Sequence, residues 1–199
     1  MSTIDDTQIQ EIVQRVLQQV MGRSPSIVVQ EGSVSPTEPI PGPAPQKGNP
    51  RIVALGADHG GYDLKEILRT ELDSMGLDVH DVGTYGKAAV DYPDFAHEVA
   101  KMVSSGKAWR GIMIDGAGIG SCIVANKLPG VRACMAYDYS SAVSSREHND
   151  TNVLTLGSGL IGVNLAKQIV KTWLSTEFGG DRHVRRIEKI SIVEKQYLK

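Results

Sequence analysis

Short apolar runs alternate with amphipathic stretches from residue 51 to the end of the chain. The runs have the length of buried strands, and the stretches between them repeat apolar residues at helical spacing. The predicted strands are 51–57, 79–82, 111–115, 131–136 and 153–156, and the predicted helices are 64–72, 95–103, 139–146 and 161–174. Strands and helices in this order form a parallel sheet with helices on both faces. The sequence therefore predicts a three-layer α/β/α, Rossmann-like sandwich with a five-stranded parallel sheet and a C-terminal helix.

The first fifty residues differ in composition from the rest of the chain. All ten aromatic residues lie at Tyr62 or beyond, and seven of the nine prolines fall within 25–50. Such a stretch cannot bury enough apolar surface to offset its ordering entropy, so we predict a flexible linker over 23–50. Residues 1–22 are predicted to form an amphipathic helix, and 51–199 the α/β domain. The apolar stripe of that helix is Ile9, Ile12, Val13, Val16, Leu17, Val20 and Met21.

An isolated helix as short as 1–22 is marginal in water, so its apolar stripe needs a surface to pack against. That surface could belong to its own domain, to a sister subunit or to a groove on another protein. The long linker favours the groove, because a helix that belongs to its own core rarely needs one.

Composition narrows the class of protein. A formal net charge of -2 gives no reason to expect nucleic-acid binding, and no apolar run is long enough for a membrane helix. Asp5 and Asp6 stand where a signal peptide would carry basic residues, so we expect a cytoplasmic protein. Cys122 and Cys134 are too few for a disulfide framework, and we predict buried apolar roles for them rather than metal binding.

Candidate functional residues cluster where predicted strands end. Ligands of such sheets bind beyond the carboxyl ends of the strands, which places Asp58, His59, Asp115 and the segment 137–138 along one edge. After Asp115 comes a glycine loop that consists of Gly116, Ala117, Gly118, Ile119 and Gly120. Its N–H groups can stabilise a phosphate or a developing oxyanion, although tight packing alone would also explain the glycines. The loop lacks the G-x-G-x-x-G dinucleotide pattern, and we predict neither a cofactor nor a metal.

Two arginines open the predicted C-terminal helix. Arg182 and Arg186 are one turn apart on the same face, where two guanidinium groups can clamp a phosphate. The simpler alternative is a solvated basic face. His148 lies in the sequence Glu-His-Asn-Asp, and a lone histidine is more often structural than catalytic.

These motifs together resemble the type B ribose-5-phosphate isomerases and their galactose-6-phosphate isomerase relatives. The resemblance runs from about residue 51 to about residue 195. It is carried by the motifs at 56–61 (GADHGG), 81–84 (DVGT), 91–93 (DYP), 116–120 (GAGIG), 125–127 (ANK), 130–132 (GVR), 145–152 (SREHNDTN) and 180–186 (GDRHVRR).

The resemblance implies an aldose–ketose isomerase that needs neither metal nor nucleotide. The reaction would move a proton between adjacent carbons through an enediolate, in a homodimer or homotetramer whose active sites are shared between subunits. Asp58 and His59 would contact the sugar phosphate, Asp58 as a catalytic residue and His59 near the phosphate. His148, also catalytic, would help to open the sugar ring. The remaining substrate-binding residues implied are Tyr92, the glycine loop 116–120, Asn149 and the clamp of Arg182 and Arg186, the arginines coming from the neighbouring subunit.

The chain departs from the family pattern at three positions. Asp115 replaces the cysteine that commonly acts as the base in the family, Ala117 replaces a threonine, and Gly159 replaces an arginine that the resemblance implies for phosphate binding. One interpretation is that Asp115 is the base and that the substrate is a four- or five-carbon sugar phosphate other than ribose 5-phosphate. The alternative is a non-catalytic or partner-dependent homologue that only binds sugar phosphates.

The tail over residues 1–50 resembles the encapsulation peptides of enzymes packed into bacterial microcompartments, which are terminal amphipathic helices on Pro/Gly-rich linkers. This resemblance implies that 1–22 binds shell or core proteins and that the enzyme works inside a microcompartment.

Overall fold

A computed structural model of the protein describes residues 51–198, together with Gln10 and Arg15. Gln10 and Arg15 are helical and exposed, and both belong to the polar face of the helix predicted over 1–22. The apolar stripe of that helix and the linker over 23–50 lie outside the described residues. The predicted division of the chain at residues 22 and 50 therefore stays a prediction.

Strands and helices alternate throughout residues 51–198, as the sequence predicts. In chain order they are β1 (Ile52–Ala57), α1 (Tyr62–Ser74), β2 (Asp78–Asp81), α2 (Tyr92–Ser104), β3 (Arg110–Asp115), α3 (Ile119–Ala125), β4 (Ala133–Met135), α4 (Tyr139–Asn149), β5 (Val153–Gly157), α5 (Val163–Ser175) and α6 (Arg182–Tyr197). No helix in this part of the chain has the length and apolar character needed to cross a membrane.

The five strands form one parallel sheet in the order β2-β1-β3-β5-β4. After β1 the chain moves outward to β2 and then returns to place β3 on the other side of β1. The reversal opens a crevice at the carboxyl ends of β1 and β3, where such sheets bind their ligands. Asp115 ends β3 opposite Gly157 of β5, so the central strand brings three loops together at this edge.

Alternate residues of the central strands pack on opposite faces of the sheet. On one face Leu55, Ile112 and Leu154 are completely buried against α1, α4 and α5, and Trp173 of α5 is buried with them. The other face carries smaller residues, which pack against α2 and α3. Because both faces are covered, the central strands β1, β3 and β5 are apolar along most of their length. The predicted fold is confirmed.

Small residues on the second face let α2 lie close to the sheet. A Cβ atom added at Gly56 or at Gly111 would come within 2.8 or 2.7 Å of the Val99 side chain of α2. On the opposite face, the buried ammonium group of Lys65 pairs with the Asp81 carboxylate at the end of β2. The Asp81 carboxylate also accepts a hydrogen bond of 2.8 Å from the N–H of Gly83, so α1 helps to fix the turn that leads towards α2.

Element boundaries differ from prediction for local reasons. β4 is shorter than the predicted strand 131–136, because the N–H of Arg132 donates to the Asn152 side chain at 2.8 Å. α2 begins at Tyr92 with Pro93 in its first turn, where the missing N–H costs no hydrogen bond. α4 continues to Asn149, so His148 lies within this helix. The short helix α3 was not singled out by the sequence, because it begins among glycines and is only seven residues long.

The close approach of α1 to β3 generates a stability prediction. A Cβ atom at Gly61 would lie 2.4 Å from the backbone carbonyl oxygen of Ile114, whereas one at Gly86 would have no heavy atom within 4 Å. We expect Gly61→Ala to lower the free energy of unfolding by about 2–3 kcal/mol, because backbone atoms must shift. Gly86→Ala should change it by less than about 0.5 kcal/mol. Urea unfolding of both variants measures the difference, and equal stabilities would contradict the packing described.

Candidate active site

The first part of the candidate site is the turn that follows β1. Asp58 is buried, and its Oδ1 accepts a hydrogen bond of 2.9 Å from the N–H of Gly61. His59 is exposed, with its Nδ1 atom 3.1 Å from the carbonyl oxygen of Val90. The hydroxyl of Ser158 donates to the carbonyl of Gly60 at 2.8 Å, so the loop after β5 holds this turn in place.

Asp115 lies at the centre of the glycine loop, and only 4% of this residue is exposed to solvent. Oδ1 accepts hydrogen bonds from the N–H groups of Ala117, at 2.8 Å, and of Gly118. Oδ2 accepts from the N–H of Ser121, at 3.2 Å, and from the Ser121 hydroxyl. The loop therefore folds around the Asp115 carboxylate, which accepts four hydrogen bonds.

Other N–H groups of the loop remain available to a ligand. Within the described part of the chain, nothing accepts a hydrogen bond from the N–H groups of Gly116, Ile119 and Gly120. The first N–H groups of a helix have no partner within the helix, which is why an anion binds well there. Tyr92 covers the loop from the start of α2, since a Cβ atom at Gly120 would lie 2.5 Å from its ring. Asp58, His59, Tyr92 and the loop 116–120 thus share one edge of the sheet.

A second group of predicted residues surrounds the junction of α4 and α6. The His148 ring stacks on the His183 ring with centroids 4.4 Å apart, and the Ser144 hydroxyl lies 3.1 Å from His148 Nδ1. Guanidinium nitrogens of Arg182 and Arg186 lie 3.4 Å from the two ring nitrogens of His183. Burial lowers the pKa of His183, and the cationic groups around it lower that pKa further. These contacts bring two guanidinium groups and two imidazole rings together on this part of the surface.

The two groups lie at opposite ends of the strands: the glycine loop lies at their carboxyl ends, and the junction of α4 and α6 lies at their amino ends. α4 begins after the carboxyl end of β4 and runs back for 11 residues, a length of about 16 Å. At its end, the Asn149 carbonyl accepts a hydrogen bond of 3.0 Å from Arg132, the residue before β4. α6 begins at the same end, because the N–H of Gly179 donates to the Glu147 carbonyl at 3.0 Å. One copy of the chain therefore does not bring His148, Asn149 and the arginines to the glycine loop.

Sequence reasoning missed three residues that contact the predicted site. Ser121 binds Asp115 although it lies six residues further along the chain, and only the folded loop brings them together. Ser158 connects the β5 loop to Gly60, and His183 stacks on His148. Of these, only His183 had a sequence signal, because it stands between two arginines of one helix face.

Neither cysteine occupies the edge that carries Asp115. Cys122 and Cys134 are half-buried rather than fully buried, with Cys134 packed against the core. Burial raises the pKa of both thiols, which favours their neutral form. Among residues 51–198 no three or more His, Cys, Asp or Glu side chains are grouped so that they could hold a metal ion.

Comparisons with known proteins agree with the fold and with the position of the motifs. A family model described as Ribose/Galactose Isomerase matches residues 53–190. Ribose-5-phosphate isomerase B of Escherichia coli (strain K12) is 43% identical over 144 residues, which make up 72% of this chain and 97% of that protein. D-erythrulose-4-phosphate isomerase of Pectobacterium atrosepticum is 41% identical and aligns with 72% of this chain and 95% of its own.

A solved structure gives the same result in three dimensions. Ribose-5-phosphate isomerase B of Clostridium thermocellum is 49% identical and superimposes with a TM-score of 0.72. The match covers 73% of this chain and 99% of that one, and so leaves out a segment the length of the N-terminal tail. The aligned part of this chain thus corresponds to nearly the whole of that protein. The chain belongs to the ribose/galactose isomerase family and is an aldose–ketose isomerase.

Proposed function

We propose that the protein interconverts an aldose phosphate and a ketose phosphate of four to six carbons by proton transfer through an enediolate. The observation that carries this proposal is the crevice between β1 and β3, where the carboxylates of Asp58 and Asp115 lie beside free N–H groups of the glycine loop. A base next to donors for an oxyanion is what enediolate chemistry requires. The names of the Escherichia coli and Pectobacterium relatives support a sugar phosphate as substrate.

In the proposed reaction, Asp115 removes the proton from the carbon next to the carbonyl group. The C–H bond breaks, its proton moves to the carboxylate, and its electron pair forms the double bond of the enediolate. Negative charge develops on the former carbonyl oxygen, where the N–H groups of Gly116, Ile119 and Gly120 can stabilise it. The neighbouring hydroxyl group then loses its proton and becomes the new carbonyl, while the former carbonyl oxygen gains a proton. Return of the first proton to the former carbonyl carbon completes the isomerisation. His148 assists ring opening, and Asp58 and His59 hold the sugar phosphate.

The proposed substrate has four or five carbons. Gly159 offers no side chain where the family pattern has an arginine, and its N–H donates instead to the carbonyl of Gly116 at 3.0 Å. Phosphate binding then depends on Arg182, Arg186 and His59. The names of the Escherichia coli and Pectobacterium relatives give a pentose phosphate and a tetrose phosphate as their substrates, and the proposed range includes both.

The active site is proposed to form between two copies of the chain. His148, Asn149 and both arginines lie at the end of the strands opposite the glycine loop, so a neighbouring copy has to supply them. α6, which carries the arginines, also exposes an apolar surface that includes Ile190, Val193 and Tyr197. These residues border a cavity of about 440 Å³ that Asn149 also lines. A homodimer or homotetramer would cover that surface and complete the site.

A substitution at Asp115 tests the catalytic interpretation. Asp115→Asn keeps the shape of the side chain and removes its basicity, so exchange of the α proton with solvent should fall by roughly 100-fold or more. Binding of the sugar phosphate should remain, because the N–H groups and the arginines are unchanged. Deuterium incorporation from heavy water, followed by NMR over a panel of four- to six-carbon sugar phosphates, measures both the rate and the preferred substrate.

The matched control is Asp73→Asn, which makes the same chemical change on the exposed side of α1. It should exchange at the native rate. Normal exchange in Asp115→Asn would show that another residue is the base. Tight binding without exchange by the unaltered protein would instead support the non-catalytic alternative.

Mixing two impaired variants tests the shared site. Asp115→Asn damages the glycine-loop side and Arg182→Ala the phosphate side, where a charge-assisted contact is worth roughly 1.5–3 kcal/mol. Refolding an equal mixture should give mixed oligomers in which one site has both native halves, so activity should return to about a quarter of the native value. Each variant alone, refolded in the same way, should stay roughly tenfold or more below the native activity. If the mixture is no more active than its parts, each site lies within a single copy.

Packaging into a bacterial microcompartment is proposed for the N-terminal tail, on its resemblance to encapsulation peptides. Val13→Glu with Val16→Glu places charge on the apolar stripe and should abolish co-fractionation with shell proteins, while isomerase activity is unchanged. Gln10→Glu with Gln14→Glu adds the same charge to the polar face and should leave packaging intact. Loss of packaging in both double variants, or in neither, would contradict the proposed role of the stripe.

A further inference from the structure

The Asp115 carboxylate has no free position for a proton in the folded loop. Two carboxylate oxygens offer about four acceptor sites in all. Ala117 and Gly118 use the two on Oδ1, and the N–H and hydroxyl of Ser121 use the two on Oδ2. A carboxylate that is to take a proton from carbon therefore has to release one of these donors first.

Only one of the four donors can leave without moving the backbone. Three are N–H groups, which the loop and the first turn of α3 hold in place. The fourth is the Ser121 hydroxyl, which rotates about a single side-chain bond. Release of Oδ2 by this hydroxyl therefore needs a change of only one side-chain torsion.

We propose that Ser121 is a positioning residue for the isomerisation, whose hydroxyl holds the ionised Asp115 carboxylate and releases its Oδ2 atom as the proton arrives. The proposal rests on the proposed function, in which Asp115 is the base. Ser121 is completely buried, so it acts through Asp115 and does not touch the sugar.

Proton transfer requires one change of partner at Oδ2. When the C–H bond breaks, its proton binds Oδ2 and its electron pair stays on the enediolate. The Ser121 hydroxyl turns away from Oδ2, which makes room for the proton. When the proton returns to the neighbouring carbon, Oδ2 is charged again and the hydroxyl turns back. An N–H group fixed in the backbone could not follow these changes.

Steady-state kinetics of Ser121 variants test the proposal, with the probe being whichever sugar phosphate of the four- to six-carbon panel the native protein turns over fastest. Ser121→Ala should lower kcat by roughly tenfold or more, because Oδ2 keeps one N–H at 3.2 Å and the carboxylate loses its orientation. KM should stay within about twofold of the native value. Ser121→Thr keeps a hydroxyl and should restore most of kcat. If Ser121→Thr does not fold, Ser121→Cys, with a weak S–H donor, should give a kcat between those of Ala and the native protein.

Thr155→Val provides a matched control for stability. The buried Thr155 hydroxyl donates to the carbonyl of Gly118 at 2.8 Å, so this variant also loses a buried hydrogen bond to the same loop, without touching Asp115. Its Tm should fall about as far as that of Ser121→Ala, while its kcat stays within about threefold of native. Equal losses of kcat in the two variants would overturn the proposal in favour of a merely structural role for Ser121.

A double variant separates this proposal from the proposed function. Ser121→Ala added to Asp115→Asn should cause no further loss of α-proton exchange, because Ser121 acts only through the carboxylate. If Asp115→Asn exchanges normally, the proposed base is wrong. If Asp115→Asn is inactive while Ser121→Ala has native kcat, or if the two losses multiply, Asp115 stays the base and the role of Ser121 is refuted.

Discussion

Pairing of β3 between β1 and β5 is the constraint on which the rest of the structure depends. It brings Asp115 to the level of the turn after β1 on one side and of Gly157 on the other. Ser158 then connects two of these loops, because its hydroxyl lies within hydrogen-bond distance of the carbonyls of both Gly60 and Asp115. The crevice is therefore built from backbone held by a rigid sheet, which suits a reaction that depends on fixed donors.

The same loop has two tasks in this chain. A cysteine at position 115, as in the family pattern, could not accept four strong hydrogen bonds, whereas the Asp115 carboxylate draws two N–H groups of the loop to itself. The donors left for an oxyanion are those of Gly116, Ile119 and Gly120. Asp115 is thus both the proposed base and the centre around which the loop is folded. Of the four groups that donate hydrogen bonds to it, the Ser121 hydroxyl is the one that can rotate without moving the backbone.

Sequence patterns predicted the sheet and most helices because both follow from local periodicity. The central strands are apolar at most positions, and α1, α2 and α5 have clear apolar stripes. Contacts between distant residues have no such signal. Ser121 reaches Asp115 only after the loop has closed, and the position of His148 at the far end of the strands depends on the length and direction of α4. The motifs singled out the candidate residues, and the fold shows that these residues form two groups.

The opposite placement of these groups has a consequence for dilution. If each complete site needs two copies, the fraction of working sites follows the association equilibrium of the chain, and specific activity falls once its concentration drops below the dissociation constant of the dimer. Confinement in a small volume would then raise the fraction of complete sites, and with it the specific activity, without any change in the chemistry of each site. For such an enzyme, a tail that gathers many copies in one place would regulate assembly as well as location.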